Sequence, residues 1–364
     1  MSRTVAVIGA GYGGAALAKE LEGDADVVLI DPRDAFVNVA GSLRAVAQPD
    51  WAENMFFPLD RLLTRGTLVR DRAVSVDPGG VTLASGRRVG ADYIVLATGS
   101  TYPYPANPVA DATADALEDF RVTHKALAGA DRVLILGAGP VGLELAGETK
   151  EVWPHKDVTV VDPTRELLPG FLPEVRAELR RQLEELGIRI LLGTGLTAPP
   201  PTAPGEAGTV TVTTADGEEI TADIWFRAHG TSVNSDYLAD GRLTPRTDRG
   251  EVPVTDRLNI EGYDHVYAVG DITALGEAKM AGYAGQHAAV VAENIRAQIS
   301  GGAPEATYQP LGQPMILLPL GTEGGVGQLP SPDGPTAAPV EVVSQYKGAD
   351  LFTGRFSEQF GIPG

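Results

Sequence analysis

Two short stretches carry glycines at a spacing that suits a phosphate. Val5 to Gly14 reads VAVIGAGYGG and Val133 to Glu148 reads VLILGAGPVGLELAGE, so Gly9, Gly11 and Gly14 recur as Gly137, Gly139 and Gly142. In a Gly-x-Gly-x-x-Gly run the first glycine permits a tight turn, the second lets backbone approach a pyrophosphate, and the third lets helix and strand pack closely. The N–H groups at the helix start then face the anion, and the helix dipole adds to the attraction. Each run follows an apolar strand pattern and precedes helix formers, a context that a chance glycine-rich turn lacks.

Each run is also followed by an acid, Asp31 or Asp162, at the end of the next apolar stretch. A carboxylate there accepts hydrogen bonds from ribose hydroxyls. The alternative is that each Asp only opens a turn before Pro32 or Pro163. Asp162 also bears on cofactor choice, because a carboxylate about 4 Å from a phosphate costs on the order of 1 to 4 kcal/mol. NADH is therefore expected over NADPH, with Arg165 able to soften the preference. Glu144 stands early in the helix after the second run, where the dipole stabilises an acid with or without a ligand. Contact with a nicotinamide is its other reading.

These motifs need elements to hold them. Val5–Ile8, Ala15–Leu21 and Val27–Ile30 read as strand, helix and strand, and Val133–Leu136, Val141–Lys150 and Val158–Val161 repeat the plan. Pro173–Leu186 is an amphipathic helix stopped by Gly187. VDPGGVTLASGRRV suits a small antiparallel meander feeding a parallel strand in ADYIVLATGS. Thr197–Gly208, rich in Pro, Ala and Gly, reads as an exposed, mobile loop before the hairpin pattern TVTVTTADGEEI. Lys279–Gln298 is expected to be helical.

Composition narrows the chemistry. The 364 residues include no cysteine, which excludes disulfides, thiolate metal sites and thiol catalysis. The histidines His124, His155, His229, His265 and His287 show no metal-ligand spacing, so no metal is expected; His287 is the one candidate for acceptor chemistry. A net charge of −19 opposes nucleic acid and anionic lipid, both of which require Lys and Arg. The start MSRTVAVIG leaves no room for a signal peptide, and Ser2 stands where myristoylation needs glycine, so a cytoplasmic protein is expected.

The two cradles, the segment ATGS at Ala97–Ser100 and the run TDRLNIEGYDHVYAVGD ending at Asp271 together resemble the pyridine nucleotide–disulfide oxidoreductase superfamily. The resemblance implies an α/β fold: two Rossmann-like dinucleotide-binding domains, the NAD domain inserted in the FAD domain, plus a small C-terminal α+β region. It places the FAD domain at 1–108 and 240–300, the NAD(P)H domain at 109–239 and the C-terminal domain at 301–364. FAD would lie on Gly9, Gly11, Tyr12, Gly13, Gly14, Asp31, Ala97, Thr98, Gly99, Gly270 and Asp271. NADH, or NADPH, would lie on Gly137, Gly139, Val141, Gly142, Asp162 and Gly230, with Glu144 beside the nicotinamide. Lys279 is a cation at a helix start, which opposes the dipole by ~0.3 to 1 kcal/mol unless an anion is near. Reduced flavin is such an anion, and Lys279 with the N–H groups of Met280 and Ala281 would stabilise it; a surface lysine on a frayed turn is the other reading.

FVNVAGSLRA, LEDF, GLELAGE, ELLPGFLPEVRAEL, AKMAGYAGQHAAV, GGVGQL and KGADLF, in this order, are similar to the branch of apoptosis-inducing-factor homologues called ferroptosis suppressor proteins, with type II NADH dehydrogenases next. That branch implies a quinone-like acceptor. It also implies FAD contacts for Arg44 and, through backbone, Val74, which the residues alone would make a solvated charge and plain core. Two departures stand out: His229 replaces the usual Thr before Gly230, and only Lys347 and Arg355 are basic after residue 300, so membrane contact is at most peripheral. Phe352, Phe356 and Phe360 would share one face of a helix, serving a quinone channel, a dimer contact or docking onto the body. Monomer and homodimer are both open. Rival functions are reduction of a ferredoxin-type protein, oxidation or reduction of a small aromatic metabolite with oxygen as acceptor, and signalling of the apoptosis-inducing type.

Overall fold

The computed structural model describes residues 3–362. Its first sheet has five parallel strands in the order Val266–Ala268, Tyr93–Leu96, Thr4–Ile8, Asp26–Ile30 and Thr67–Val69. The central strands are unbroken apolar runs because both faces are covered. Helices Tyr12–Leu21 and Ala281–Ile299 cover one face, burying Leu17, Leu21, Val291 and Ile295 against Val5 and Val7. On the other face Ala6 and Ile8 meet Val76, Val81 and Leu83 of an antiparallel meander, Ala73–Asp77, Gly80–Leu83 and Arg88–Gly90. The strand Val266–Ala268 follows the whole second sheet in sequence, so the first sheet is closed by residues from both sides of the second.

The second sheet is also parallel, in the order Ile188–Leu192, Asp157–Asp162, Arg132–Leu136 and Ile224–Arg227. Helices Thr113–Ala128, Pro140–Val152 and Pro173–Glu185 pack on one face, and the hairpin Val210–Thr213 with Glu219–Ala222 covers the other through Val210, Val212 and Ile220. The helix Pro173–Glu185 turns Val175, Leu179 and Leu183 inward, and the chain leaves it at Gly187, whose φ of +66° suits glycine. This α/β architecture of two Rossmann-like sheets is the expected one.

Two helices start away from where the apolar pattern predicts. The first begins at Tyr12, three residues before Ala15, because small residues at 13 and 14 can be helical without contributing to an apolar stripe. The helix expected from Lys279 begins at Ala281, leaving Lys279 outside it. Residues Thr197–Gly208 are not a free loop: the Trp225 indole donates to the Thr202 hydroxyl (3.1 Å), and Gly205 N–H and Gly208 N–H donate to Trp225 O and Asp223 O, both 2.8 Å. Backbone groups of a proline-rich segment have thus found edge partners on the second sheet.

The chain ends in an antiparallel sheet of Ile316–Leu320, Gly324–Leu329 and Thr336–Ala338, followed by a short helix Val340–Val343, a π turn Ser344–Gly348 and the helix Thr353–Gln359. Phe356 and Phe360 dock on the body, with ring centres 4.8 and 5.4 Å from Phe36 and 5.8 and 5.5 Å from Phe57. Phe356 also lies 5.6 Å from the Tyr12 ring. No described helix is long and apolar enough to cross a membrane.

Candidate active site

The two glycine runs build the same cradle twice. Gly9 N–H donates to Ile30 O and Gly137 N–H to Val161 O, each at 2.8 Å, pinning the turn to the neighbouring strand. Gly9 and Gly137 have φ of +100° and +118°, which only glycine adopts at low cost. A Cβ on Gly14 would strike the Gly9 carbonyl, and one on Gly142 the Gly137 carbonyl. A Cβ on Gly11 or Gly139 would meet nothing within 4 Å, so the second glycine of each run faces open space, the approach that a pyrophosphate needs. Gly13 differs: it is spaced for packing, its Cβ position lying 3.1 Å from Val269.

Each acid folds back onto its own cradle. Asp31 Oδ2 accepts the Ala10 N–H and Asp162 Oδ2 the Ala138 N–H, both at 2.7 Å. The idea that these carboxylates merely open turns is too narrow, since they also fix the glycine turn. Asp31 is 2% exposed and is gripped by Arg33, whose Nε and Nη2 donate at 2.9 and 2.8 Å. Burial pushes its carboxyl up, but the Arg33 charge and hydrogen bonds outweigh this and hold it below the ordinary carboxylate range. Asp162 is partly exposed and accepts from Thr164 N (2.7 Å) and Oγ1 (2.5 Å). Burial again opposes the charged form, and the hydrogen bonds of Thr164 and Ala138 lower the pKa. Arg165 is exposed and is not among its hydrogen-bond partners.

Around the first cradle, Ala97 backs onto Gly9, and Thr98 Oγ1 donates to Asn234 O at 2.6 Å while Asn234 N–H donates to Gly99 O at 2.9 Å. Ser100, which the sequence offers only as part of ATGS, donates to Asp271 Oδ2 at 2.6 Å. Burial raises the Asp271 pKa, with Ser100, Lys279 and His287 opposing. A cleft of about 940 Å³ opens beside this pair, bordered by Ser100, Val233, Arg246, Glu251 and Lys279. Tyr12 donates its hydroxyl to Asn38 Oδ1 (2.8 Å), and Asn38 donates to Leu351 O (2.6 Å), so the C-terminal segment reaches the cradle itself.

Two expectations change, at Arg44 and Val74, and two more residues, Lys279 and Glu144, gain protein partners. Arg44 is not solvated: it is 2% exposed, pairs with Glu148 at 2.8 Å, and donates to Gly348 O and Ala349 O at 2.6 and 3.1 Å, with Trp51 stacked over it. Its guanidinium is committed to protein partners on the helix Pro140–Val152 and the C-terminal π turn. Val74 is not core: it is 48% exposed at an irregularity where Ala73 and Ser75 pair but Val74 has no strand partner, which leaves its backbone open. Lys279 meets its anion within the protein, at Glu251 Oε1 (3.0 Å), and donates to Thr273 O (2.5 Å). Glu144 accepts from Lys347 at 2.7 Å, so it is an ion-paired group as well as a helix-end acid.

The remaining positions fall as follows. Val141 is half-buried in the first turn of Pro140–Val152. Gly230, at φ +88°, lies against the Arg227 guanidinium, and Arg227 Nε donates to His229 O at 3.2 Å. His229 is exposed, and burial and Arg227 lower its pKa against the pull of Asp162. Met280 caps the helix and Ala281 opens it. Gly270 has φ +74° and donates its N–H to His287 Nδ1. Arg33, Thr164, Glu251 and Glu277 were missed, although Arg33 and Thr164 sit two residues after their acids, the register in which a side chain returns to a turn carboxylate.

Comparison with known proteins agrees with this geometry. The chain is 33% identical over 333 residues to ferroptosis suppressor protein 1 of Taeniopygia guttata, covering 89% of this chain and 88% of that one. It is 28% identical to apoptosis-inducing factor homolog B of Dictyostelium discoideum over 99% and 97% of the two chains. Among solved structures, the sulfide:quinone oxidoreductase of Aquifex aeolicus superposes with a TM-score of 0.78 at 21% identity, covering 99% of this chain and 92% of that one. NDH2 of Plasmodium falciparum, solved with NADH, gives 0.73 at 13% identity, covering 100% and 99%. Residues 3–293 match the sequence pattern of the pyridine nucleotide-disulphide oxidoreductases, and the chain belongs to that family, as an FAD-dependent NAD(P)H oxidoreductase without a redox disulfide.

Proposed function

We propose that the protein is an NADH:quinone-type oxidoreductase, with FAD on the first cradle and on Gly270 and Asp271, and NADH on the second. The observation that carries this reading is the repeated cradle with open space at Gly11 and Gly139, in a chain with no cysteine. Two dinucleotides fit, and no thiol can relay electrons between them and a disulfide. The sulfide:quinone oxidoreductase that shares the fold is named for two substrates; of these, only the quinone needs no sulfur chemistry from the protein. Residues 1–108 and 240–300 would then bind FAD, 109–239 NADH, and 301–364 would wall the acceptor side.

Bound FAD supplies a two-electron carrier between the nicotinamide and the acceptor. The chain's residues bind and orient. The N–H groups at the starts of Tyr12–Leu21 and Pro140–Val152 would hold the two pyrophosphates. Asp162 is offered to the adenosine ribose with no cation among its hydrogen-bond partners, which disfavours the added phosphate of NADPH. The Glu144–Lys347 pair neutralises the helix face beside the second cradle, so a nicotinamide meets no net charge there. Lys279 would serve the flavin by turning its ammonium from Glu251 and Thr273.

The test is stopped-flow oxidation of the NADH-reduced protein by menaquinone, ubiquinone, simple benzoquinones and oxygen. At least one quinone is expected to reoxidise the flavin faster than air-saturated buffer does. If oxygen outruns every quinone, the acceptor assignment fails.

A further inference from the structure

Behind the Gly270–Asp271 turn runs a buried chain of hydrogen bonds that the nucleotide chemistry above does not use. His287, 2% exposed on the helix Ala281–Ile299, accepts the Gly270 N–H at Nδ1, 3.0 Å away. An Nδ1 that accepts leaves the ring proton on Nε2, which lies 2.8 Å from Glu277 Oε1. The other oxygen of Glu277 accepts the Tyr308 hydroxyl at 2.6 Å, and the Tyr308 ring stands edge-on to the imidazole with centres 4.3 Å apart. The carboxylate side chain is 6% exposed, so His287 and Tyr308 are its compensation for lost water.

The far end of this chain fixes a glycine turn. Gly270 sits at φ +74°, and its carbonyl accepts the Thr273 hydroxyl at 2.8 Å while its N–H is held by His287. Both backbone polar groups of Gly270 are thus engaged by side chains, and the next residue is Asp271, tied to Ser100. We infer that His287, kept in one tautomer by Glu277 and Tyr308, is the positioning residue of the Gly270–Asp271 turn and thereby controls how firmly the protein keeps its flavin dinucleotide. This rests on the assignment of FAD to the first cradle.

A proton on Nδ1 would set N–H against N–H and push the turn apart. The charged and titratable groups facing the ring are Glu277 and Lys279 from the segment before the helix, Asp271 from the turn, and Tyr308 from beyond the helix. Burial and Lys279 oppose the imidazolium, Glu277 and Asp271 favour it, and burial wins, so the ring titrates below its ordinary value. The neutral, accepting ring is therefore the form at neutral pH, and acid loosens the turn.

The test measures flavin affinity by titrating apoprotein with FAD, and flavin release from holoprotein as pH is lowered, read by the fluorescence of free FAD. His287→Leu, which removes the acceptor, is expected to weaken FAD binding about tenfold, whereas His287→Asn, which keeps an acceptor near Nδ1, restores most of it. The acid release step should vanish in His287→Asn, move to lower pH in Glu277→Gln, and move to higher pH in Tyr308→Phe, where Glu277 loses a donor and holds the imidazolium more strongly. Thermal unfolding of each apoprotein separates this from general damage, which would lower the midpoint without these opposite pH shifts. Equal flavin affinity in His287→Leu and wild type, or release steps that do not move, would overturn the inference alone. A wild-type protein that never takes up flavin would remove the FAD assignment beneath it.

Discussion

The two cradles share a backbone and differ in what guards the acid. Gly9–Asp31 and Gly137–Asp162 have matching turns, matching strand bonds and the same 2.7 Å bond from the cradle to the carboxylate. Yet Asp31 is buried under Arg33, and Asp162 is half-exposed beside Thr164. A ligand held through many turnovers suits the closed acid with a fixed counter-charge, and one exchanged at every turnover suits the open acid that keeps hydrogen-bond capacity toward water. On the proposed assignment of FAD to the first cradle and NADH to the second, the shared backbone would admit a dinucleotide to each, and the neighbours of one carboxylate would set how it is kept.

The sharpest way to break this comparison uses the glycines that touch nothing. Gly11 and Gly139 have ordinary extended backbone, so valine there costs the fold little and fills the ligand's space. Gly11→Val is expected to give folded, colourless protein, whereas Gly139→Val should stay yellow and lose NADH affinity by about 100-fold, ~2.7 kcal/mol. Absorbance at the flavin band and NADH titration of the two variants check this; loss of colour in both would mean that the cradles are not independent.

A smaller effect sharpens the difference at the acids. Asp162→Asn removes the charge that opposes a ribose phosphate, and is expected to narrow the preference for NADH over NADPH by about tenfold, ~1.4 kcal/mol, with flavin content unchanged. Steady-state kcat/KM for both nucleotides measures it, and an unaltered ratio would show that Asp162 does not face the 2′ position.

The smallest expected effect lies in acid stability. Asp31 has a folded pKa below its unfolded value, so its contribution is fully present above the unfolded pKa of about 3.9 and is lost as pH falls through the folded value. Asp31→Asn should therefore flatten the decline of stability below about pH 4, and Asp162→Asn should do so less, because solvent screens its half-exposed carboxylate. Denaturant midpoints between pH 3 and 6 would settle the order.

What the sequence revealed and what it hid follow from chain separation. The cradles and their acids were legible because a turn, a strand and a helix start lie within about thirty residues and obey local geometry. Arg44 looked solvated because its partners are at 148, 348 and 349, which no local pattern joins. The same distance hid Lys347 from Glu144 and Glu251 from Lys279. Val74 reads as core in an alternating strand, but the bulge beside it turns one residue outward, and a single inserted residue leaves no periodic trace. Thr197–Gly208 has loop composition, yet its N–H groups pair with a sheet edge that only the fold supplies.

The contacts of the C-terminal phenylalanines make the first cradle depend on distant chain. Phe356 and Phe360 rest on Phe36 and Phe57, Phe356 on Tyr12, and the Leu351 carbonyl on Asn38. Residues far apart along the chain therefore share one wall of the first cradle, and that wall is complete only once Leu351–Phe360 has docked. Losing that docking would open the cradle from a side that its own strand–helix unit does not cover.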